Sequence, residues 1–195
     1  MQNLSDKDKR LEIRIAGSGG QGVILAGIIL AEAAVLEGNY AAQSQAYGPE
    51  ARGGSSRTDV ILSDMEIDYC WNLGVDILVA LTQQGYDQNS PDLKEDGLVI
   101  VDPEVVHRVL HSRAVGIPLR QIACGSGEER SINMAALGAL ATFCPLASCG
   151  SLANIMAKRL PPSRVEGNMF AFRNAMEFAR CMKLTLRGHR EPVEI

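Results

Sequence analysis

A glycine-rich turn near the start of this sequence has residue types and spacing suited to binding an anionic ligand. Four glycines occur within six positions, in the run Gly17-Ser18-Gly19-Gly20-Gln21-Gly22. A β-branched run precedes the turn and an apolar helical run follows it. Glycine permits positive φ and close approach of a ligand, and the amides that open a helix attract anions. The turn therefore predicts a phosphate or anion seat, a close contact with another subunit, or only tight packing of the helix on the strand.

The G-x-G-x-x-G spacing of this turn also matches the fingerprint of dinucleotide-binding proteins. Such a site needs an acidic residue at the end of the second strand, where it binds the ribose hydroxyls. The second predicted strand, Tyr40–Ala46, contains no acid, and Glu37 lies before it. A nicotinamide cofactor is therefore disfavoured, although an NAD(P)-dependent enzyme stays an alternative.

A second polar segment begins where that strand ends. It runs Tyr47-Gly48-Pro49-Glu50-Ala51-Arg52-Gly53-Gly54, and its arginine suits a phosphate or carboxylate because a guanidinium can bind either with two hydrogen bonds. The carboxyl ends of parallel strands line one crevice of a sheet. We therefore expect the glycine turn to share a polar, cationic crevice with other side chains near strand ends. These are Gln43, Gln45, Tyr47, Arg52, Thr82 and Gln83.

Residues typical of catalysis are not arranged for it elsewhere in the sequence. His107 and His111 are four positions apart on a predicted helix, where a surface pair is expected rather than a metal site. Cys124 has no histidine near it in sequence, so we expect a buried, unreactive thiol. The five cysteines form no C-x-x-C pair, and no nucleophile elbow, Walker lysine or H-E-x-x-H motif occurs. We expect a binding protein that has neither catalytic residues nor a metal site.

The composition is typical of a soluble globular protein. Of the 195 residues, 46% are hydrophobic and 22% are charged, and the net charge of −4 argues against nucleic acid as a main partner. The longest apolar run, Val23–Leu36, is too short to cross a bilayer. The polar start, Met1–Arg10, has no features of a secretory signal. We therefore expect a cytoplasmic protein with no membrane partner.

Strand and helix patterns alternate along the chain. We expect an α/β three-layer sandwich with a mainly parallel, Rossmann-like sheet containing one antiparallel strand, and a helical C-terminal third. The predicted strands are Leu11–Ala16, Tyr40–Ala46, Ser56–Ser63 (antiparallel), Asp76–Leu81, Gly97–Val101 and Ala114–Leu119. The predicted helices are Val23–Leu36, Gln83–Leu93 with a break at Pro91, Glu104–Ser112, Ile132–Phe143, Leu146–Lys158 and Arg164–Lys183, the last with Ser163 as N-cap. Residues 1–10 are predicted as a flexible leader, 11–184 as one domain and 185–195 as a tail.

Two of these motifs together resemble a known family. The motifs are the glycine turn and the run from Gln43 to Gly54, and the strands Thr58–Asp64 and Val99–Asp102 and the helix that begins at Asn133 also match. With them, the chain resembles the gamma subunits of 2-oxoacid:ferredoxin oxidoreductases, most closely those of the 2-oxoglutarate branch. Related gamma subunits serve pyruvate, branched-chain 2-oxoacids and indolepyruvate. The resemblance spans nearly the whole predicted domain.

This resemblance implies a subunit of an enzyme that decarboxylates a 2-oxoacid on thiamine diphosphate with Mg²⁺. The enzyme passes electrons through iron–sulfur clusters to ferredoxin and releases an acyl-CoA. Implied partners are an alpha and a beta subunit, with or without a ferredoxin-like delta subunit, and these hold the cofactors.

For this chain the resemblance implies assembly and contact with coenzyme A, and no catalytic residue. The residues carried over as ligand or interface contacts are Gly19, Gly20, Gln21, Gly22, Tyr47, Arg52, Gly53 and Gly54. Such a subunit should leave apolar surface exposed when it is alone. The alternative is a free-standing module that binds coenzyme A or a nucleotide.

Overall fold

The computed structural model describes residues 9–48, 54–71, 73–127 and 129–188. The strands are β1 (Arg10–Ser18), β2 (Tyr40–Tyr47), β3 (Ser55–Ser63), β4 (Val75–Ala80), β5 (Leu93–Val101) and β6 (Ala114–Gly116). The helices are α1 (Val23–Leu36), α2 (Gln83–Asn89), α3 (Leu119–Gly125), α4 (Ile132–Ala141), α5 (Cys149–Arg159) and α6 (Pro162–Gly188). Most of these elements agree with the sequence patterns that predicted them.

The strands form one six-stranded sheet in the order β2-β3-β1-β4-β5-β6. Strand β3 runs antiparallel to both of its neighbours, whereas β1, β4, β5 and β6 pair in parallel. The sequence of β3 alternates, which predicts a strand with one exposed edge; that edge is not found, because β3 lies between β2 and β1, but its antiparallel direction agrees with the prediction. A mainly parallel sheet with an antiparallel member is therefore confirmed.

Helices cover the two faces of the sheet unequally. The main core lies on one face, where α1, α4 and the long α6 pack in layers over Ile13, Ile15 and Val79. A smaller core on the second face contains Leu78 and Tyr86, and of the described residues only α2 and the segment that follows β5 cover the strands there. The three-layer arrangement is confirmed, and its second layer is thin.

The predicted helix Glu104–Ser112 is wrong. This segment is a non-helical strap that lies against α2. The side-chain oxygen of Gln83 accepts hydrogen bonds from the backbone N–H groups of His107 and Arg108 at 3.0 and 3.1 Å. The hydroxyl of Tyr86 accepts another from the N–H of Leu110 at 3.0 Å. These tertiary hydrogen bonds satisfy backbone groups that a helix would otherwise pair internally.

Strand β6 is shorter than predicted, and the helix after it was missed. The apolar run predicted as a strand to Leu119 leaves the sheet at Gly116, and α3 begins at Leu119. The buried carboxylate of Asp102 accepts the N–H of Arg120 at 2.7 Å and so caps this helix.

Two helix starts also differ from prediction. Helix α5 begins at Cys149 because the hydroxyl of Ser148 accepts the N–H of Ser151 at 3.1 Å. Helix α6 begins at Pro162, so Ser163 lies inside the helix and is not its N-cap. Most of the predicted leader and of the tail lies outside the described residues, and the domain boundaries stay predictions. No helix within the described ranges has both the length and the apolarity needed to cross a bilayer.

Candidate functional site

The glycine turn joins β1 to α1 and is held by its own polar atoms. The side-chain oxygen of Gln21 accepts the N–H of Ser18 at 2.7 Å, and the N–H of Gln21 donates back to the Ser18 carbonyl at 3.2 Å. A Cβ on Gly17 would lie 2.4 Å from that side-chain oxygen, so only glycine at position 17 leaves room for the hydrogen bond between Gln21 and Ser18. The Gln21 side chain therefore shapes the turn.

Gly22 opens α1 in the left-handed region, with φ 73° and ψ 25°. A Cβ at this position would lie 2.4 Å from Nδ2 of Asn133, which donates to the Gly22 carbonyl at 3.1 Å. This hydrogen bond connects the start of α1 to the start of α4. The start of α1 has no side-chain cap. Gly20 also has positive φ, at 94°, but a Cβ there would meet nothing within 4 Å. Gly19 and Gly20 are the exposed part of the turn.

The turn and the described ends of the loop after β2, Gly48 and Gly54, lie at the same end of the sheet. The strand register places Ser18 opposite Ser55 and Tyr47 opposite Ser56. The N–H of Gly19 donates to the carbonyl of Gly54 at 2.8 Å. Tyr47 ends β2 with 66% of its surface exposed. The predicted contacts Arg52 and Gly53 lie outside the described residues.

Three side chains of the expected crevice are used inside the fold. Gln43 lies in the middle of β2 under α1, where its amide donates to the hydroxyl of Thr58 at 2.9 Å. Thr82 caps α2 by accepting the N–H of Gly85 at 3.0 Å. Gln83 holds the strap after β5. The structure therefore does not bring these three together as a ligand site.

A pocket of about 270 Å³ lies beside the turn on the second face of the sheet. The positively charged residue of this pocket is Arg57. The sequence did not predict it as a ligand contact, because a charged residue that alternates with apolar residues in a strand is expected to face solvent. The lining residues are Ala46, Tyr47, Gly48, Ser55, Arg57, Gln84, Gln88 and Asn89. Amide side chains, one phenol and one guanidinium suit an anionic, hydrogen-bonding ligand.

Arg57 is only weakly neutralised within the fold. Its Nε lies 3.7 Å from Asp59 Oδ2, and its Nη1 donates to Asn89 Oδ1 at a long 3.3 Å. The other oxygen of Asp59 accepts Nε of the buried Arg14 at 2.5 Å, and Arg14 also pairs with Asp92. Because Arg14 has two carboxylates, the pKa of its guanidinium is raised despite burial, which alone would lower it. The side chain of Arg57 is 38% exposed and faces the pocket.

The histidines and cysteines form no site in the part of the chain that the structure describes. No three His, Cys, Asp or Glu side chains there come together as metal ligands. His107 and His111 lie in the strap, and Nδ1 of His111 accepts the N–H of Arg113 at 3.2 Å. Cys124 is exposed, so its predicted burial is wrong. Cys144 is buried, and desolvation raises the pKa of its thiol to about 11.

Comparison with known proteins agrees with this geometry. Residues 12–178 match the family described as pyruvate ferredoxin/flavodoxin oxidoreductase. A 2-oxoglutarate synthase subunit, KorC, of Methanothermobacter thermautotrophicus is 44% identical over 179 residues, which cover 86% of this chain and 94% of that protein. The chain belongs to the pyruvate ferredoxin/flavodoxin oxidoreductase family.

Solved structures share the fold. A keto/oxoacid ferredoxin oxidoreductase gamma subunit from Geobacter sulfurreducens is 39% identical, with a TM-score of 0.80 over 89% of this chain and 98% of that one. A 2-oxoglutarate:ferredoxin oxidoreductase from Magnetococcus marinus, with 2-oxoglutarate, coenzyme A and succinyl-CoA bound, is 27% identical, with a TM-score of 0.82 over 90% of this chain and 32% of that one. The resemblance to gamma subunits of 2-oxoacid:ferredoxin oxidoreductases is confirmed.

Proposed function

We propose that this chain is the gamma subunit of a 2-oxoglutarate:ferredoxin oxidoreductase. The supporting observation is its 44% identity to a 2-oxoglutarate synthase subunit over 94% of that subunit's length. The fold shared with a keto/oxoacid ferredoxin oxidoreductase gamma subunit agrees with it. A free-standing nucleotide-binding module and an NAD(P)-dependent enzyme are not favoured by these relationships.

The oxidative chemistry belongs to partner subunits in this proposal. Thiamine diphosphate with Mg²⁺ supplies decarboxylation and iron–sulfur clusters supply electron transfer to ferredoxin. An iron–sulfur cluster needs four protein ligands close together, usually all thiolates. The free cysteines of this chain lie on separate elements, and among its described residues none join a metal-ligating group. Its donor set does not fit a cluster, and we assign no step of electron transfer to it.

This chain contributes assembly and contact with coenzyme A. Coenzyme A carries a diphosphate and a further phosphate, and phosphates bind to arginine and to exposed backbone N–H groups. The pocket at Arg57 adjoins the exposed glycines of the turn through Ser55 and Gly54. The retained contact set is Gly19, Gly20, Gln21, Gly22, Tyr47, Arg52, Gly53 and Gly54, to which the pocket adds Arg57.

Substrate choice is tested with the complex purified through a tag on this chain. We expect kcat/KM to be highest for 2-oxoglutarate when initial rates are compared with pyruvate and 2-oxoisovalerate at saturating coenzyme A. A preference for either of the other two acids would contradict the 2-oxoglutarate assignment and would leave the subunit role intact.

The contact with coenzyme A is tested by Arg57→Ala and Arg52→Ala in the same complex. Loss of a charge-assisted hydrogen bond should raise KM for coenzyme A roughly tenfold and leave KM for 2-oxoglutarate unchanged. Arg180→Ala is the matched control, because Arg180 is exposed on α6 and lies apart from the pocket. A KM for coenzyme A equal to that of the control would remove the tested arginine from the contact set.

A further inference from the structure

Strand β2 forms an open edge of the sheet. It pairs with β3 on one side, and the described residues place no strand or helix along its other side. Its sequence, Tyr-Ala-Ala-Gln-Ser-Gln-Ala-Tyr over 40–47, contains no charge, proline or glycine. Natural edge strands usually carry such residues to prevent pairing with another chain. An uncharged edge of eight residues is therefore suited to pairing.

The ladder with β3 shows which residues of β2 offer backbone groups to the open side. The N–H of Gly48 donates to the carbonyl of Ser55 at 2.6 Å, so position 48 points its backbone groups toward β3. These groups alternate in direction along an antiparallel strand. The odd-numbered residues, Ala41, Gln43, Gln45 and Tyr47, therefore direct their N–H and C=O groups outward.

The sequence of β2 is nearly symmetric about Ser44. Gln43 mirrors Gln45, and Ala42 mirrors Ala46. Antiparallel pairing of two such strands with Ser44 opposite Ser44 would place outward-directed Gln43 opposite outward-directed Gln45. The symmetry of the sequence and the direction of the backbone groups thus select the same register.

Helix α1 leaves an apolar stripe along the same side of the molecule. Gly27 faces the sheet, since a Cβ there would lie 2.6 Å from the hydroxyl of Thr58. Each residue of an α-helix is rotated by about 100° from the one before it, so the residues of the stripe lie roughly 40° to 100° around the helix axis from Gly27. Its members are Ile24, Ile28, Ala31 and Val35, all partly exposed, with Val35 the most exposed at 56%. A helix that is apolar on all sides is expected to be covered on all sides.

An open groove continues this stripe down to β2. It has a volume of about 400 Å³. Its lining is mostly apolar and consists of Ala31, Glu32, Val35, Leu36, Ala41, Gln43 and Ile155. The one charge, Glu32, pairs with Arg159 on α5. The described lining of this groove thus carries no uncompensated charge that would repel a copy of itself.

We propose that β2 pairs with β2 of a second copy of this chain around a two-fold axis at Ser44, and that the α1 stripes of the two copies pack together. Paired strands lie about 4.8 Å apart, and α1 packs over β2 and β3. Two α1 helices centred between these strands would then lie about 10 Å apart, which is the usual distance between packed helices. The strand register and the helix spacing are compatible in one arrangement.

The test is disulfide cross-linking of the full chain, alone and within its complex. Two Ser44 Cα atoms facing each other in a non-hydrogen-bonded pair lie about 4.5 Å apart, within disulfide range. We expect Ser44→Cys to cross-link under mild oxidation roughly tenfold faster than Gln45→Cys, whose Cα atoms would lie about 8 Å apart. The wild-type chain gives the background from its native cysteines. Equal rates for the two variants, or no cross-link above background, would overturn the proposal.

A second measurement uses charge at the same position. Ser44→Lys and Ser44→Glu each place like charges on the two-fold axis, so each variant alone should have the mass of one 21.0 kDa chain by native mass spectrometry. Mixing the two variants should restore a species of twice that mass. A partner other than a second copy would not be restored by mixing, and that outcome would overturn the proposal.

Discussion

At the scale of single residues, two amide side chains hold the backbone of the glycine turn in place. Gln21 closes the turn on Ser18, and Asn133 reaches across from α4 to the carbonyl of Gly22. Gly19 and Gly20 are the positions left open. These hydrogen bonds, together with that from the Gly19 N–H to the Gly54 carbonyl, hold the turn in a fixed arrangement, which lowers the entropy cost of binding a ligand at Gly20.

Gly22→Ala should destabilise the chain by about 2–3 kcal/mol. A left-handed non-glycine residue costs roughly 1–2 kcal/mol, and displacing Asn133 loses a hydrogen bond worth roughly 1 kcal/mol. Gly20→Ala is the matched control, because it has the positive φ without the clash. Urea unfolding of both variants measures the difference. Equal losses of stability would show that Asn133 does not constrain Gly22.

The sequence predicted the glycine turn but not the residues that support it. Four glycines in six positions are visible in one stretch, whereas Asn133 lies 111 positions beyond Gly22. Its role as a lock depends on how α4 packs on α1. Arg57 was missed for a related reason, since strand alternation does not show which outward charge faces a pocket. The local sequence therefore identifies the turn, but the residues that hold it in place can be identified only from the tertiary structure.

At the scale of elements, Glu37 links the end of α1 to the start of α5. Its carboxylate accepts the N–H of Ser148 at 2.8 Å. Hydrogen bonds from the hydroxyls of Ser148 and Ser151, and then from the Ser148 N–H, lower the pKa of Glu37 below its ordinary value of 4.5. The ionised form is thus favoured in the folded chain. The hydrogen bonds to Glu37 therefore stabilise the fold at pH values above that ordinary pKa.

Glu37→Gln should lower the free energy of unfolding at pH 7 by about 0.5 kcal/mol, as expected for an exposed charged contact. Because the folded pKa is lowered, the wild-type advantage should persist at neutral pH and disappear as the pH falls through that folded pKa. Thermal unfolding between pH 7 and pH 3 measures it, with Glu177→Gln on the exposed side of α6 as control. A difference that grows as the pH falls would contradict the assigned direction.

Elements that depend on their own local sequence were predicted well, and those held by tertiary hydrogen bonds were not. Helix α1 and strand β2 follow from their own sequences. The strap at 104–112 has a helical pattern, but Gln83 and Tyr86 bind its backbone groups instead. Helix α3 was missed because its apolar start looked like a continuation of β6. In both cases hydrogen bonds to a side chain distant in sequence, to Gln83 and Tyr86 for the strap and to Asp102 for α3, outweighed the local secondary-structure preference.

At the scale of the whole molecule, the order of the strands brings the ends of β1 and β2 together with the start of β3. Sequence order alone would place β2 next to β1, yet β3 lies between them. The glycine turn, Tyr47 and the pocket at Arg57 therefore occupy one edge of the sheet. The open side of β2 adjoins this region at Tyr47, so the region proposed for a ligand and the surface proposed for a second copy are neighbours.

The role proposed for this chain is that of the gamma subunit of a 2-oxoglutarate oxidoreductase. Affinity purification of the tagged full chain from its own cells, followed by native mass spectrometry and assay with 2-oxoglutarate, coenzyme A and an artificial electron acceptor, tests it most directly. We expect larger partner subunits to co-purify in a fixed ratio and acceptor reduction to require both substrates. Recovery of the chain without partner subunits, or oxidation of 2-oxoglutarate by the chain alone, would contradict it.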